Sequence, residues 1–153
     1  VALLPDGRPC FAAWDQFTGE TVLAVRRPDR TWQIADLTAG AAACDPGHLF
    51  NSHPQIAVNG RGEILLVASR APAREWAHPG SRIVRLASDD TGRILRYDSI
   101  APGAPGIPDW LPNIEKPAPG VYPDRFHLLF QRGNRGEGCI NTARCEVMLA
   151  TVE

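Results

Sequence analysis

The chain has 153 residues, of which 44% are hydrophobic and 22% are charged, and its formal net charge is −1. This length fits one domain or part of a larger one, and the composition excludes an intrinsically disordered chain. A net charge so close to zero argues against non-specific binding of nucleic acid through a basic surface. We therefore expect no nucleic-acid partner. No apolar run reaches the roughly 20 residues of a membrane-spanning helix, so we also expect no membrane span.

The predicted elements are short strands separated by turns. Fourteen Gly and fourteen Pro interrupt the sequence, which argues against a helical bundle, and groups such as Pro5-Asp6-Gly7 are typical of turns. The Ala-rich segment 35–45 is the one candidate for a short helix. In chain order the predicted strands are 1–4, 10–14, 21–25, 31–37, 55–58, 64–68, 82–87, 94–100, 110–114, 126–130 and 146–152.

The strands recur in similar units. Segment 2–13 aligns with segment 56–67, because both contain a strand, a turn with Gly and a second strand, and segment 30–36 resembles 92–98. The second unit holds extra residues, which we place in 71–81. A simple meander of β-hairpins could look self-similar without a true repeat. Units of four short strands that recur about every 40–50 residues are, however, typical of propeller blades.

The predicted fold class is therefore all-β: a partial β-propeller of about three four-stranded antiparallel blades, the last of them incomplete. Residues 1–153 form a single unit, with blade one at 1–40, blade two at 50–103 and blade three at 108–153. Propellers have about four to eight blades, and the chain begins at Val1 without an initiator Met. We therefore expect a C-terminal portion whose partners are missing N-terminal blades, and whose unpaired edges favour self-association.

The chain has four cysteines, which allow three full disulfide pairings. The spacing of Cys139 and Cys145 suits a bridge across a hairpin loop, whereas Cys10 lies in an apolar run typical of a buried thiol. The cysteines and histidines have no zinc-site spacing. We predict no metal and no cofactor.

One segment carries a family resemblance. Ser88-Asp89-Asp90-Thr91-Gly92-Arg93-Ile94-Leu95 resembles the Asp-box, or BNR repeat, of sialidase-like propellers, with Leu95 in place of the usual aromatic residue. In this turn we expect Asp90 to accept backbone N–H groups, Gly92 to have a positive φ and Leu95 to plug the blade. The segment from Asp109 to Pro117 is also similar to the C-terminal parts of such proteins. Asp-boxes shape the fold and are not catalytic.

The resemblance implies a secreted or periplasmic protein that acts on glycans, with a glycoside hydrolase as the leading hypothesis. Arginine and aromatic side chains suit an acidic sugar, because Arg binds a carboxylate through two hydrogen bonds. The alternatives are a non-catalytic propeller that binds glycans or proteins, and a polysaccharide lyase that would use His53 and Arg70. The candidate catalytic residues are Glu115, for which Asp15 is a possible partner, and His53; the candidate substrate-binding residues are Arg70, Arg132, Trp110 and Asn113.

We expect His53, Arg70, Glu115 and Arg132 to lie at one end of the sheets, opposite the turn 88–95. Several of the candidate residues also have a structural interpretation. The segment 51–54 could cap backbone groups before a strand, Trp110 could be a packing anchor, and Arg132 could belong to a solvated hairpin tip.

Overall fold

The computed structural model describes residues 1–75, 77–101, 105–133 and 145–153. Within these ranges the protein consists of three antiparallel sheets and one short helix, and none of the sheets is closed. The predicted all-β class is confirmed. The helix, α1 (Leu37–Cys44), lies inside the predicted segment, and the Asp36 carboxylate caps it by accepting the Thr38 N–H at 2.7 Å.

Each sheet follows the chain as a meander. Sheet one has the predicted four strands in sequence order: β1 (Ala2–Leu3), β2 (Pro9–Trp14), β3 (Thr21–Arg26) and β4 (Trp32–Asp36). Sheet two has five strands: β5 (Leu49–Phe50), β6 (Gln55–Val58), β7 (Ile64–Ala71), β8 (Arg82–Ser88) and β9 (Ile94–Ala101). The short strands β5 and β6 both pair with the same edge of β7, and β8 and β9 follow in order on its other side. Sheet three has three described strands: β10 (Asp109–Ile114), β11 (Phe126–Arg132) and β12 (Glu146–Val152).

Sheet two is the middle layer. All eight residues of β7 are buried, and successive side chains of a strand point to opposite faces. One face of sheet two, with Leu66 and Leu86, packs against Leu23 of sheet one. The other face, with Leu65, packs against Leu128 of sheet three. The core therefore consists of two apolar layers, one on each side of sheet two.

Four hairpin turns share one backbone pattern at one end of the sheets, which we call the hairpin end. In each turn the first residue donates its N–H to the fifth residue's carbonyl, and the fourth donates back to the first. The fourth residue has a positive φ, as in three-residue hairpin loops with a bulge. The turns begin at Leu4, Arg27, Asn59 and Asp89, and their fourth residues are Gly7 (φ 84°), Arg30 (φ 69°), Gly62 (φ 77°) and Gly92 (φ 87°).

These turns relate sheet one to sheet two residue by residue. The match of Arg30 with Gly92 is the one predicted from sequence. The first alignment was wrong by one residue, because it placed Pro5 on Asn59, whereas the turns place Leu4 there. The error arose because that alignment followed the apolar pattern, while the structure is governed by the positive φ of Gly7 and Gly62.

The turn that resembles an Asp-box differs from the predicted one. Asp89 has the role expected of Asp90: its Oδ1 accepts the N–H groups of Thr91 at 3.0 Å and Arg93 at 3.1 Å. Asp90 instead accepts a hydrogen bond from Arg8 of sheet one at 2.8 Å. The carboxylate that shapes the turn therefore lies one residue earlier than the resemblance implies.

Leu95 was expected to plug the sheet, but it is 41% exposed. The strand pairing explains the difference: Ser88 pairs with Ile94 and Ala87 pairs with Arg96, so a bulge leaves Leu95 out of the pairing. Ile94 packs against the core in its place.

Candidate functional site

The predicted site residues do not all lie at the same end of the sheets. At the end opposite the hairpin end, which we call the loop end, Arg132 pairs with Asp109 and Trp110 pairs with Gln131. Glu115 follows β10 and donates its N–H to the His127 carbonyl at 2.8 Å. The stretch of β11 from His127 to Arg132 spans roughly 16 Å at the usual rise per residue.

The prediction that Glu115 shares an end with His53, Arg70 and Arg132 is therefore wrong. The physical reason is the direction of the strand: Glu115 follows Ile114, the last residue of β10, whereas Asp109 at the other end of β10 pairs with Arg132. Its carboxylate accepts the His127 N–H at 3.1 Å, at the hairpin end.

His53 is exposed and lies at the loop end, where its ring meets the Trp14 ring edge-on with centroids 5.1 Å apart. The two residues before it are buried and bonded to the protein. The Asn51 side-chain amide donates to the Ser81 hydroxyl at 2.6 Å, and the Ser52 hydroxyl accepts the Ser69 N–H at 3.1 Å. The segment before β6 thus has the capping contacts of the structural interpretation, and a catalytic role of His53 stays a prediction.

Arg70 is only 1% exposed. Its Nη1 donates to the Ala41 carbonyl at 2.8 Å and to the Tyr97 hydroxyl at 3.2 Å, its Nη2 donates to the His48 carbonyl, and its guanidinium lies 5.0 Å from the centroid of the Phe50 ring. Arg70 therefore joins α1 and the segment after it to sheet two, and a substrate in solvent would not reach it directly.

Arg132 forms a two-bond contact with the fully buried Asp109. Its Nε lies 2.7 Å from Oδ1 and its Nη2 lies 3.0 Å from Oδ2. Trp110 is 9% exposed and donates from its indole nitrogen to the Gly133 carbonyl at 3.1 Å, whereas Asn113 is exposed on β10. The contacts of Arg132 and Trp110 fit a structural role. They do not test whether Arg132, Trp110 or Asn113 contacts a substrate, so substrate binding by these residues stays a prediction.

A polar cluster centred on Asp45 was not found from the sequence. We call it the Asp45 cluster, and it comprises Asp45, His48, Arg70, Arg82 and Tyr97. The Asp45 carboxylate accepts hydrogen bonds from Arg82 and, at 2.7 Å, from the Tyr97 hydroxyl. The His48 Nδ1 lies 3.0 Å from Asp45 Oδ1, and the Arg70 Nη1 lies 3.6 Å from Oδ2. The segment after α1 thereby meets β7, β8 and β9 at the loop end.

The environment of the cluster shifts two pKa values. Burial raises the pKa of the Asp45 carboxyl, but the hydrogen bonds from Arg82 and Tyr97, together with the Arg82 charge, outweigh burial and hold it below its usual value. Burial, followed by the hydrogen bond to Asp45, raises the pKa of Tyr97 to about 12. Near neutral pH, Asp45 is therefore ionised and Tyr97 is a neutral donor.

The cluster carries more positive than negative charge. One carboxylate faces two guanidinium groups, and the side chains of Arg82 and His48 are 29% and 24% exposed. The Nε atoms of Arg70 and Arg82 are buried and have no hydrogen-bond partner among the described residues. Arginine forks and an imidazole are the groups that bind carboxylates. The arrangement can therefore receive an anion at its exposed side.

No signal in the sequence indicated this cluster, because Asp45 lies at the end of the candidate helical segment 35–45, where only its local structure was considered. Among the described residues, no group of three or more His, Cys, Asp and Glu is placed to hold a metal ion. In the same part of the chain no helix has the length and apolar character needed to cross a membrane. Of the predicted disulfide, Cys139 lies outside the described residues; Cys10 is buried, as predicted.

Comparison of the chain with protein-family models, with curated proteins and with solved structures finds no match.

Proposed function

We propose that the chain is part of a sialidase-like β-propeller that binds an acidic glycan at the Asp45 cluster. The observation that carries this proposal is the charge of the cluster, in which Arg70 and Arg82 face a single carboxylate. The carboxylate of a sugar acid would accept hydrogen bonds from Arg82, with His48 beside it. Arg70 lies beneath them and contributes positive charge without touching the ligand.

Two features of the fold support the propeller part of the proposal. The three sheets are consecutive antiparallel meanders that stack face to face. Strand β6 of sheet two also lies beside the first strands of the other two sheets, since it contacts both β1 and β10. Blades around a common axis bring their innermost strands together in this way.

The geometry favours binding over hydrolysis. Glycosidases use two carboxyl groups about 5–10 Å apart, one of which is an acid with a raised pKa. The buried carboxylates of the loop end that the structure describes, Asp45 and Asp109, both contact arginines, and the pKa of Asp45 is lowered. Glu115 lies at the hairpin end. We therefore propose a binding role for this chain and no catalytic role for these carboxylates.

Calorimetric titration of the chain with sialyllactose and with lactose tests the proposal, because the two sugars differ by the acidic residue. We expect binding of sialyllactose at least tenfold tighter than that of lactose, and a further weakening of roughly tenfold in Arg82→Gln, since about 1.4 kcal/mol corresponds to a factor of ten. Arg93→Gln is the matched control, because this arginine is exposed at the hairpin end. Equal binding of both sugars, no binding of either, or an unchanged Arg82→Gln variant would overturn the proposal.

A further inference from the structure

The stack of sheets ends in an exposed apolar face on each side. The outer face of sheet one, which we call the backward face, carries Trp32 at 40% and Ile34 at 68% exposure, with the Phe11 ring edge-on to Trp32 at 5.2 Å. The outer face of sheet three, the forward face, carries Leu129, Val147 and Leu149 at 47%, 72% and 68% exposure. Faces of this kind mark interaction sites.

The hairpin turns identify what would cover the backward face. Counted from the turns that begin at Leu4 and Asn59, Phe11 occupies the position of Leu66. Counted from the turns that begin at Arg27 and Asp89, Trp32 occupies the position of Ile94. Ile34 takes the place of Tyr97 once the bulge at Leu95 is included.

In sheet two these equivalent positions are covered. Leu66, Ile94 and Tyr97 all pack in the apolar layer between sheets one and two, against residues such as Leu23. The backward face of sheet one is therefore equivalent to one face of sheet two, namely the face that packs against sheet one. By this equivalence, the backward face should pack against a face that resembles the inner face of sheet one, which points toward the next sheet along the chain.

Sheet three exposes a face of that second kind. Phe126, Leu128 and Phe130 of β11 pack against sheet two, so the alternate residues of the strand, such as Leu129, point away from it. In sheet two the face that points onward, with Leu65 and Val67, covers sheet three in the same manner. The molecule thus ends in two different faces that match each other.

We propose that a second copy of this chain covers these faces, with the forward face of each copy packed on the backward face of the other. Contacts between unlike faces close into a ring when the rotation permits and otherwise grow into filaments. Two copies of the described chain supply six sheets, within the range of about four to eight found in propellers, whereas three copies would exceed it. In this arrangement the second copy takes the place of the N-terminal blades expected from the sequence. The proposal rests on the propeller arrangement proposed above and not on glycan binding.

Sedimentation equilibrium of the chain, without sugar, tests this proposal. We expect twice the mass of one chain at micromolar concentrations. Ile34→Glu on the backward face and Leu149→Glu on the forward face should each weaken association by about a hundredfold or more, because each would bury an unpaired charge. Val121→Glu is the matched control, since Val121 is 54% exposed and lies outside both faces; it should remain dimeric.

Mixing the two variants distinguishes unlike faces from like faces. In an equimolar mixture of Ile34→Glu and Leu149→Glu, one unmodified pair of faces remains, so we expect a dimer that neither variant forms alone. If only one of the two variants dissociates, like faces pair and the proposal is wrong. A wild-type chain that stays monomeric at about 100 µM also overturns it, and assigns the faces to other segments or partners.

Both substitutions lie at exposed positions. Circular dichroism of each variant is the check that it is folded, and Val147→Glu replaces Leu149→Glu if the latter unfolds. Glycan binding serves as an independent readout. If the dimer proposal fails while sialyllactose still binds, only the association is refuted. If the dimer forms and no sugar binds, the function proposed above fails alone.

Discussion

Gly92 lies against Ala35 so closely that a Cβ atom on Gly92 would stand 2.2 Å from the Cβ of Ala35. The contact joins the turn between β8 and β9 to strand β4, and so joins sheet two to sheet one. Gly92 also has a φ of +87°, which L side chains rarely adopt. Glycine is therefore required at this position for two reasons, the close contact with Ala35 and the positive φ.

We expect Gly92→Ala to lower the free energy of unfolding by about 3 kcal/mol or more, because overpacking adds to backbone strain. Gly47→Ala is the matched control: Gly47 has a φ of +79°, but a Cβ atom at this position would meet no atom of the described residues within 4 Å, so strain alone should cost about 1 kcal/mol. Urea unfolding of both variants measures the difference. Equal losses would show that the Ala35 contact relaxes freely.

Arg30 stands where the other three hairpin turns have glycine. Its φ of 69° is strained for a residue with a side chain. We expect Arg30→Gly to stabilise the chain by up to about 1 kcal/mol, since relief of strain exceeds the entropy that glycine adds to the unfolded state. Gly7→Ala should have the opposite sign at the equivalent position. Thermal unfolding of the two variants checks this, and a destabilised Arg30→Gly would contradict it.

Asp45 should contribute stability that acid removes. Its folded-state pKa is lowered, so its contribution is fully present above the unfolded value of about 3.9 and is lost as the pH falls through the folded value. Asp45→Asn should lower the free energy of unfolding by about 3–5 kcal/mol at pH 7, because Arg70 is left buried without its charge partner. The measurement is urea unfolding from pH 7 to pH 2. The variant should lose less stability than the wild type over the acid part of that range.

Lys116 is the single lysine of the chain, so its titration can be followed without ambiguity. Burial lowers the pKa of its ammonium group, whose Nζ donates to the Ile56 carbonyl at 2.8 Å. Because the unfolded state holds the proton more tightly, stability should rise with pH between the folded pKa and the unfolded value of about 10.4. The Cε chemical shift of ¹³C-lysine-labelled protein should titrate below its usual range when folded, and at the usual value in urea. Identical midpoints would refute the prediction.

The sequence was sufficient for the short helix and for every described strand except β5 (Leu49–Phe50), because alternating apolar residues and turn residues are local signals. It was also sufficient to match Arg30 with Gly92. It was insufficient for the Asp45 cluster, whose members Asp45, Arg70 and Tyr97 are far apart along the chain and meet only through sheet pairing. Arg70 has no local signal of burial, since an arginine in a strand is usually exposed. The misplacement of Glu115 has a different origin. Glu115 follows the predicted strand 110–114 as the turn that begins at Asn59 follows the strand 55–58, so the predicted repeat itself places Glu115 at the hairpin end.

The complete burial of β7 has a consequence for the unfolded chain. Ile64-Leu65-Leu66-Val67-Ala68 is a run of apolar residues without proline or charge, the composition that stacks into intermolecular β-structure when exposed. Charges at Glu63 and Arg70 flank this run, and flanking charges oppose such stacking. Refolding should therefore yield most protein at low chain concentration. Arg70 should therefore act in both states: as a repulsive charge that opposes aggregation before folding, and as the buried partner of Asp45 afterwards.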